Sequence, residues 1–267
     1  MKEPIYIIKI GGNIIDDEAL LHDFLGKFAA LPAQKILIHG GGKLATRLAS
    51  QLNIPQQLIE GRRITDAETL KVVTMVYAGL VNKTVVATLQ SFQCNAIGFS
   101  GADGDLIRSV KRGTEKLDYG FVGDVQKVNT EVLLTLIKSG FTPVIAPITH
   151  DGRGVLLNTN ADTIAQEIAT SLADHFNVNL IYSFEKKGVL LDVDNEDSVI
   201  PKLDPVLYEQ YRKEGKIFAG MIPKLDNAFS AISAGVKKVI IGKAEELEIL
   251  VSGKTGTILT NEEHTII

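Results

Sequence analysis

Residues 5–10 read Ile-Tyr-Ile-Ile-Lys-Ile and stop at Gly11-Gly12. A stretch so nearly unbroken in apolar residues fits a strand covered on both faces, without a wet side. Leu20, Leu21, Phe24, Leu25 and Phe28 then recur at helical spacing, which gives a helix with one buried stripe. The pair repeats at once. Residues 36–38 are the next apolar run, closed by His39-Gly40-Gly41-Gly42, and Leu44, Leu48 and Leu52 step by four behind it. Strand-like runs return at residues 96–99, 144–148, 180–184 and 239–241. Helical stripes return at Ile164, Ile168 and Leu172, and at Leu225, Phe229 and Ile232. A long helix is predicted over residues 66–92, with Thr65 or Asp66 as its N-cap. Such alternation implies an α/β chain with a mainly parallel sheet and helices on both faces. Between residues 100 and 127, glycines punctuate short alternating runs, which predicts β-hairpins at one edge, and a second hairpin is expected near residues 154–157. The acidic stretch 192–197 is expected to be a surface loop. A lobe boundary is placed near residues 150–154, dividing the chain into 1–153 and 154–267.

Composition sets limits on partners. The chain has 267 residues, 45% hydrophobic, enough for a large core. Lys and Arg number 28 against 32 Asp and Glu, a net charge of −4, which offers no electrostatic case for nucleic acid or an anionic membrane. An anionic ligand then needs a local cluster of cations. The single cysteine, Cys94, excludes an intrachain disulfide. The opening MKEPIYIIKIGG has too short an apolar run for a signal peptide, and no continuous apolar run reaches the ~20 residues of a membrane span. A cytoplasmic protein is expected.

Several short segments can carry chemistry. Gly11-Gly12 and Gly40-Gly41-Gly42 each follow a strand, at the sheet edge where parallel α/β folds bind ligands. Glycine lets the backbone approach an anion, and a following helix start offers free N–H groups; either cluster alone is equally a tight turn. Lys9 interrupts an apolar strand just before the first cluster, so its ammonium must reach the carboxyl edge or pair with a carboxylate. Asn158-Thr159-Asn160-Ala161-Asp162 opens a helix and is dense in hydrogen-bonding groups, as an ordinary N-cap also is. Asp162 can orient lysines from two segments. In Gly220-Met221-Ile222-Pro223-Lys224, Pro223 suits a first helical turn and puts Lys224 near a positive helix end, unfavourably unless an anion arrives. Arg63, beside Arg62, can clamp a carboxylate bidentately. Other motifs fail: there is no G-x-G-x-x-G after a strand, no complete P-loop at residues 252–255, no G-x-S-x-G, and the five histidines have no metal-ligand spacing.

Read in order, Lys9-Ile10-Gly11-Gly12, residues 39–42, Gly61-Arg62-Arg63-Ile64-Thr65, Asn82-Lys83, Ser100-Gly101-Ala102-Asp103-Gly104, residues 158–162 and residues 220–224 resemble the amino-acid kinase family over nearly the whole chain, and within it the branch acting on acylated glutamate. The resemblance implies a three-layer αβα sandwich around a mainly parallel sheet, with the N-terminal lobe binding the N-acylglutamate and the C-terminal lobe binding ATP. It implies phosphoryl transfer to a γ-carboxylate. Lys9 and Lys224 would neutralise the transferring group, Asp162 would hold both, and Gly12 would offer its N–H. Gly41, Gly42, Arg63, Asn158 and Asn160 would bind the acylated amino acid. Gly11, Lys187, Gly188, Val189, Leu190, Lys216, Ile217 and Phe218 would lie against the nucleotide. Mg²⁺ would arrive on the ATP phosphates, without a metal site of the protein's own. The long helix 66–92, with Leu70, Val73, Tyr77, Leu80 and Val81, would make a homodimer. Glu185 stands where the family usually has an Asp-containing turn. The acyl group is acetyl by default, with succinyl as the alternative if an extra cation is present. A kinase of free glutamate and a non-catalytic amino-acid or nucleotide sensor are the other readings of the same scaffold.

Overall fold

The computed structural model describes residues 2–59, 62–113, 117–217 and 219–261, with residue 219 described by its backbone alone. Gly61 and Phe218, both named above, lie outside the described residues.

Eight strands form the main sheet, in the order Lys202–Leu203, Thr257–Leu259, Lys238–Lys243, Asn177–Phe184, Pro4–Ile10, Gln34–His39, Thr142–Ile145 and Ala96–Phe99. All neighbours pair in parallel except Lys238–Lys243 with Thr257–Leu259. Pro4–Ile10 is central, and its alternation sorts residues to the two faces. Ile5 and Ile7 join the core under the helices Thr130–Lys138, Ala161–Leu172 and Ile222–Ser233. Ile8 and Ile10 join the core under Glu18–Ala30, Gly42–Gln51 and Asn82–Ser91. Lys9 follows Ile5 and Ile7 in the period of two, so it emerges on the face of Ala161–Leu172. Because the central strands are parallel, Gly11, the loop 40–42 and the turn after Phe184 share one edge.

The hairpins expected at one edge of this sheet form a separate sheet instead, ordered Leu156–Asn158, Ile148–His150, Ile107–Lys111 and Gly123–Val128. The run 144–148 is divided between the two sheets. Pro147 cannot donate a ladder hydrogen bond, and the chain leaves the main sheet there. In Gly42–Gln51 Ala45 and Ala49 are buried and Leu44 and Leu48 pack half-buried against the same core, while Leu52, just past the helix end, is exposed.

The long helix begins at Asp66, whose carboxylate accepts from the Thr69 N–H at 2.8 Å. It runs as Ala67–Val73, a π-helical stretch Thr74–Val81, then Asn82–Ser91. Among the described residues, Ala67–Ser91 is the one helix long and apolar enough to cross a membrane, although polar residues interrupt its apolar runs. Val72, Val73, Val76, Tyr77, Val81, Val85 and Leu89 face the protein's own core. Val73, Tyr77 and Val81 are therefore not on an open face. The exposed large apolar residues of this helix are Met75 and Leu80, at 53% and 61%.

Candidate active site

Lys9 Nζ lies 2.8 Å from Asp162 Oδ1, and Lys224 Nζ lies 2.8 Å from Asp162 Oδ2. One carboxylate thus holds two ammonium groups, one on each oxygen, with all three side chains under 20% exposed. Local chemistry places each. Asn160 caps the helix Ala161–Leu172, its Oδ1 accepting from the N–H groups of Asp162 at 2.7 Å and Thr163 at 3.2 Å. Asp162 then stands in the first turn, where the helix dipole favours a negative charge. Lys224 stands in the first turn of Ile222–Ser233, where the dipole opposes it, and Asp162 offsets that cost. Its ammonium also lies over the Tyr182 ring, 4.8 Å from the centroid. Burial alone would raise the Asp162 pKa, but the Lys9 and Lys224 charges outweigh it and hold the carboxyl well below its ordinary range. Burial pushes the Lys224 pKa down, against the pull of Asp162.

Two clefts meet at this triad, and Lys9 lines both. The first, about 260 Å³, is lined by Gly41, Gly42, Arg63, Asn158, Asn160 and Asp162, together with Gly40, Arg62, Tyr77 and Arg112. Gly41 has φ 148°, and a Cβ there would lie 2.9 Å from Tyr77 Cδ1, so the position requires glycine. Arg63 is buried and donates to Gly42 O at 2.8 Å, Thr46 Oγ1 at 2.9 Å and Gln56 Oε1. A guanidinium has five N–H donors, so these bonds, with a further one to the Tyr77 hydroxyl, leave at most one N–H for a ligand. Asn158 Nδ2 donates to Thr65 Oγ1 at 3.0 Å.

The second cleft, about 360 Å³, is lined by Gly11, Phe184, Glu185, Lys186, Gly188, Leu190, Met221 and Lys224, among others. Not every expected residue reaches it. Lys187 turns away to pair with Asp197 at 3.2 Å, and Lys216 pairs with Glu214 at 2.6 Å. Val189 and Ile217 are buried in the core. Gly12 starts the short helix Gly12–Ile15 and lines neither cleft, and the Gly11 N–H is already given to Ser183 O at 3.0 Å. Gly188 is needed for packing, since a Cβ there would lie 2.7 Å from Thr257 Oγ1.

Arg112 and Tyr77 were missed as cleft residues. Arg112 follows the strand Ile107–Lys111 and pairs with Asp124 across the hairpin. The charge pair was visible in the sequence, but nothing there folds the hairpin over the cleft. Glu185 enters the second cleft, and its charge raises the Lys224 pKa slightly against burial.

The Amino acid kinase family matches residues 4–243 of the chain. The chain is 56% identical over 255 residues to the acetylglutamate kinase of Cytophaga hutchinsonii, covering 95% of this chain and 97% of that one. It is 57% identical over 247 residues to the acetylglutamate kinase of Phocaeicola vulgatus, covering 92% and 96%. Among solved structures, carbamate kinase from Giardia lamblia bound to AMP-PNP superposes with TM-score 0.72 at 12% identity, covering 98% of this chain and 99% of that one. N-acetylglutamate synthase from Neisseria gonorrhoeae, complexed with coenzyme A and N-acetyl-glutamate, superposes with TM-score 0.81 at 20% identity, covering 97% of this chain and 60% of that one. At these identities the two structures speak to the fold alone.

Proposed function

The chain belongs to the amino acid kinase family, and from that premise we propose that it transfers the γ-phosphoryl group of ATP to the γ-carboxylate of N-acetyl-L-glutamate, a step of arginine biosynthesis. The observation that carries the reading is the meeting of two clefts at one carboxylate that holds two ammonium groups. The acylated amino acid occupies the first cleft, between Arg63, Asn158 and the loop 40–42. ATP occupies the second, beside Gly11, Glu185, Gly188 and Leu190. In this reading residues 1–153 supply most of the acyl-substrate side and residues 154–267 the nucleotide side.

The nucleophile needs no base. A γ-carboxylate is ionised at neutral pH, its reference pKa being about 4.3. One of its oxygens bonds to the γ-phosphorus as the bridging oxygen–phosphorus bond breaks, and ADP leaves with that electron pair. The transition state is loose, so catalysis rests on alignment and charge neutralisation. Lys9, lining both clefts, faces the transferring group throughout. Lys224 meets it from the nucleotide side. Mg²⁺ carried on the triphosphate would supply further neutralisation there. Helix Gly42–Gln51 points its N-terminus into the first cleft, with Gly41 and Gly42 N–H groups as anion donors.

One observation favours a second reading of the acyl group. Arg62 and Arg112 also line the first cleft, and Arg112 Nη1 has no hydrogen-bond partner among the described residues. An N-succinyl group would bring a carboxylate for such a cation. A hydroxamate assay with ATP and N-acetyl-, N-succinyl- and free L-glutamate tests all of this. Product from an acylated glutamate and none from the free amino acid is expected. Turnover of free glutamate alone, or nucleotide binding without any hydroxamate, would replace the proposal with the free-glutamate kinase or the sensor.

The homodimer rests on the exposed Met75 and Leu80 on the long helix, an apolar face beside core-facing Val73 and Tyr77. Light scattering is expected to give the mass of two chains, reduced to one by Leu80→Glu. A wild-type mass of one chain would end the dimer.

A further inference from the structure

We infer that His39, Asn82 and the π-helical stretch ahead of Asn82 form a positioning device that fixes the glycine loop 40–42 at the acyl-substrate cleft. His39 ends the strand Gln34–His39 and is fully buried. Its Nδ1 lies 2.8 Å from Gly40 O. A carbonyl can accept only, so Nδ1 carries the proton. Its Nε2 lies 3.1 Å from Asn82 Nδ2, which also donates to Val144 O at 3.0 Å. Asn82 Oδ1 accepts from Lys83 Nζ at 3.1 Å, and that ammonium donates to Gly98 O at 3.1 Å. The amide is therefore oriented at both ends, with its nitrogen toward acceptors and its oxygen toward a cation. Nε2 faces a donor and must present its lone pair. Burial, with the Lys83 charge, pushes the imidazole pKa down to about 4 despite the bond to Gly40, so the ring is neutral at physiological pH.

The consequence falls on one peptide plane. In a trans peptide the carbonyl and the next N–H point in opposite directions. Turning Gly40 C=O onto the imidazole turns Gly41 N–H to the other side, and residues 40, 41 and 42 line the first cleft. Tyr77 closes the loop's other flank against Gly41. Tyr77 and Asn82 are five residues apart. On an α-helix they would be turned about 140° from one another at ~100° per residue. Here the Asn82 N–H bonds Tyr77 O, the i→i−5 pattern that brings the two onto one face. The π stretch Thr74–Val81 thus lets a single helix reach the glycine loop directly through Tyr77 and, by way of His39, through Asn82. Gly98 belongs to the same device, because a Cβ there would collide with Asn82 Oδ1.

The kinetic arm of the test rests on the proposed phosphoryl transfer; the spectroscopic arm does not. Nitrogen-15 histidine NMR of the wild-type protein at pH 7 is expected to show His39 protonated on Nδ1 and bare on Nε2. His39→Asn puts an amide N–H where Nδ1 stood; His39→Gln puts its amide at the Nε2 end and abandons Gly40. His39→Gln and Asn82→Asp are expected to lower kcat by roughly 10–100-fold with KM for ATP within about three-fold, as for a misplaced binding loop. His39→Asn is expected to recover most of the loss at a Tm equal to that of His39→Gln. An Nε2-protonated ring overturns the inference by itself, whatever the reaction. So does His39→Asn performing no better than His39→Gln, which would mark a merely structural residue, or wild-type turnover in all three variants. A wild-type enzyme that makes no acyl phosphate ends the proposed function, while the tautomer still decides this one.

Discussion

Lys9→Ala is expected to lower kcat by on the order of 10²–10³-fold, with KM for ATP and for the acylated amino acid changed far less. The ammonium lines both clefts, so it faces the phosphoryl group while it is bound to neither partner. In that loose state charge is spread over the equatorial oxygens and develops on the leaving oxygen, and an interaction made chiefly then appears in kcat. The fold is expected to survive, because Asp162 keeps Lys224 at 2.8 Å. Lys9→Met separates charge from volume, since it fills the same space on the face of Ala161–Leu172 without a cation. Lys9→Met is expected to be as inactive as Lys9→Ala and nearer to wild type in Tm. The double variant Lys9→Met, Lys224→Met is expected to lose less than the product of the two single losses, since both act on one phosphoryl group. Wild-type kcat in Lys9→Met, measured as hydroxamate formed under saturating ATP, would remove Lys9 from the mechanism.

Much of this site was legible before the fold was known, for a physical reason. A lysine inside an apolar strand, a capped helix opening on Asp162 and a proline-led helix carrying Lys224 are each local patterns with an electrostatic demand. Each needs an opposite charge, and together they supply one another's. The layers were legible too, because both faces of Pro4–Ile10 are covered and the helices have one buried stripe each. The rest depended on tertiary contacts. Lys187 and Lys216 read as nucleotide contacts, but Asp197 and Glu214 lie nearer and claim their charges. The π stretch was hidden because Val, Tyr, Ala and Leu over eight residues satisfy a period of 3.6 as well as a wider one. The small sheet was hidden because an antiparallel hairpin has the same alternation whether it extends the main sheet or stands apart. Arg112 reaches the cleft only because that small sheet folds over it.

Asp162→Asn is expected to have the largest combined effect on stability and activity. The substitution keeps the shape and removes the charge that two ammonium groups share. At a separation of ~5 Å and an effective dielectric of about 20, their mutual repulsion amounts to about 3 kcal/mol. Removing the carboxylate from this buried arrangement is expected to cost about 3–5 kcal/mol at pH 7, read by denaturant unfolding. Burial already pushes the Lys224 pKa down, and without Asp162, the chief pull against burial, it falls further. Turnover in the variant should therefore rise as the pH is lowered, opposite to any loss of a carboxylate base. The stability difference has its own pH signature. The folded Asp162 pKa lies below its unfolded value of 3.8, so the unfolded chain binds the proton more tightly. Its contribution is full above about pH 4 and is lost as the pH falls through the lower, folded value. Wild type and Asp162→Asn should accordingly differ most at neutral pH and converge in acid. A constant gap in unfolding free energy from pH 7 down to pH 2 would mean that this carboxylate is not held ionised by the two lysines.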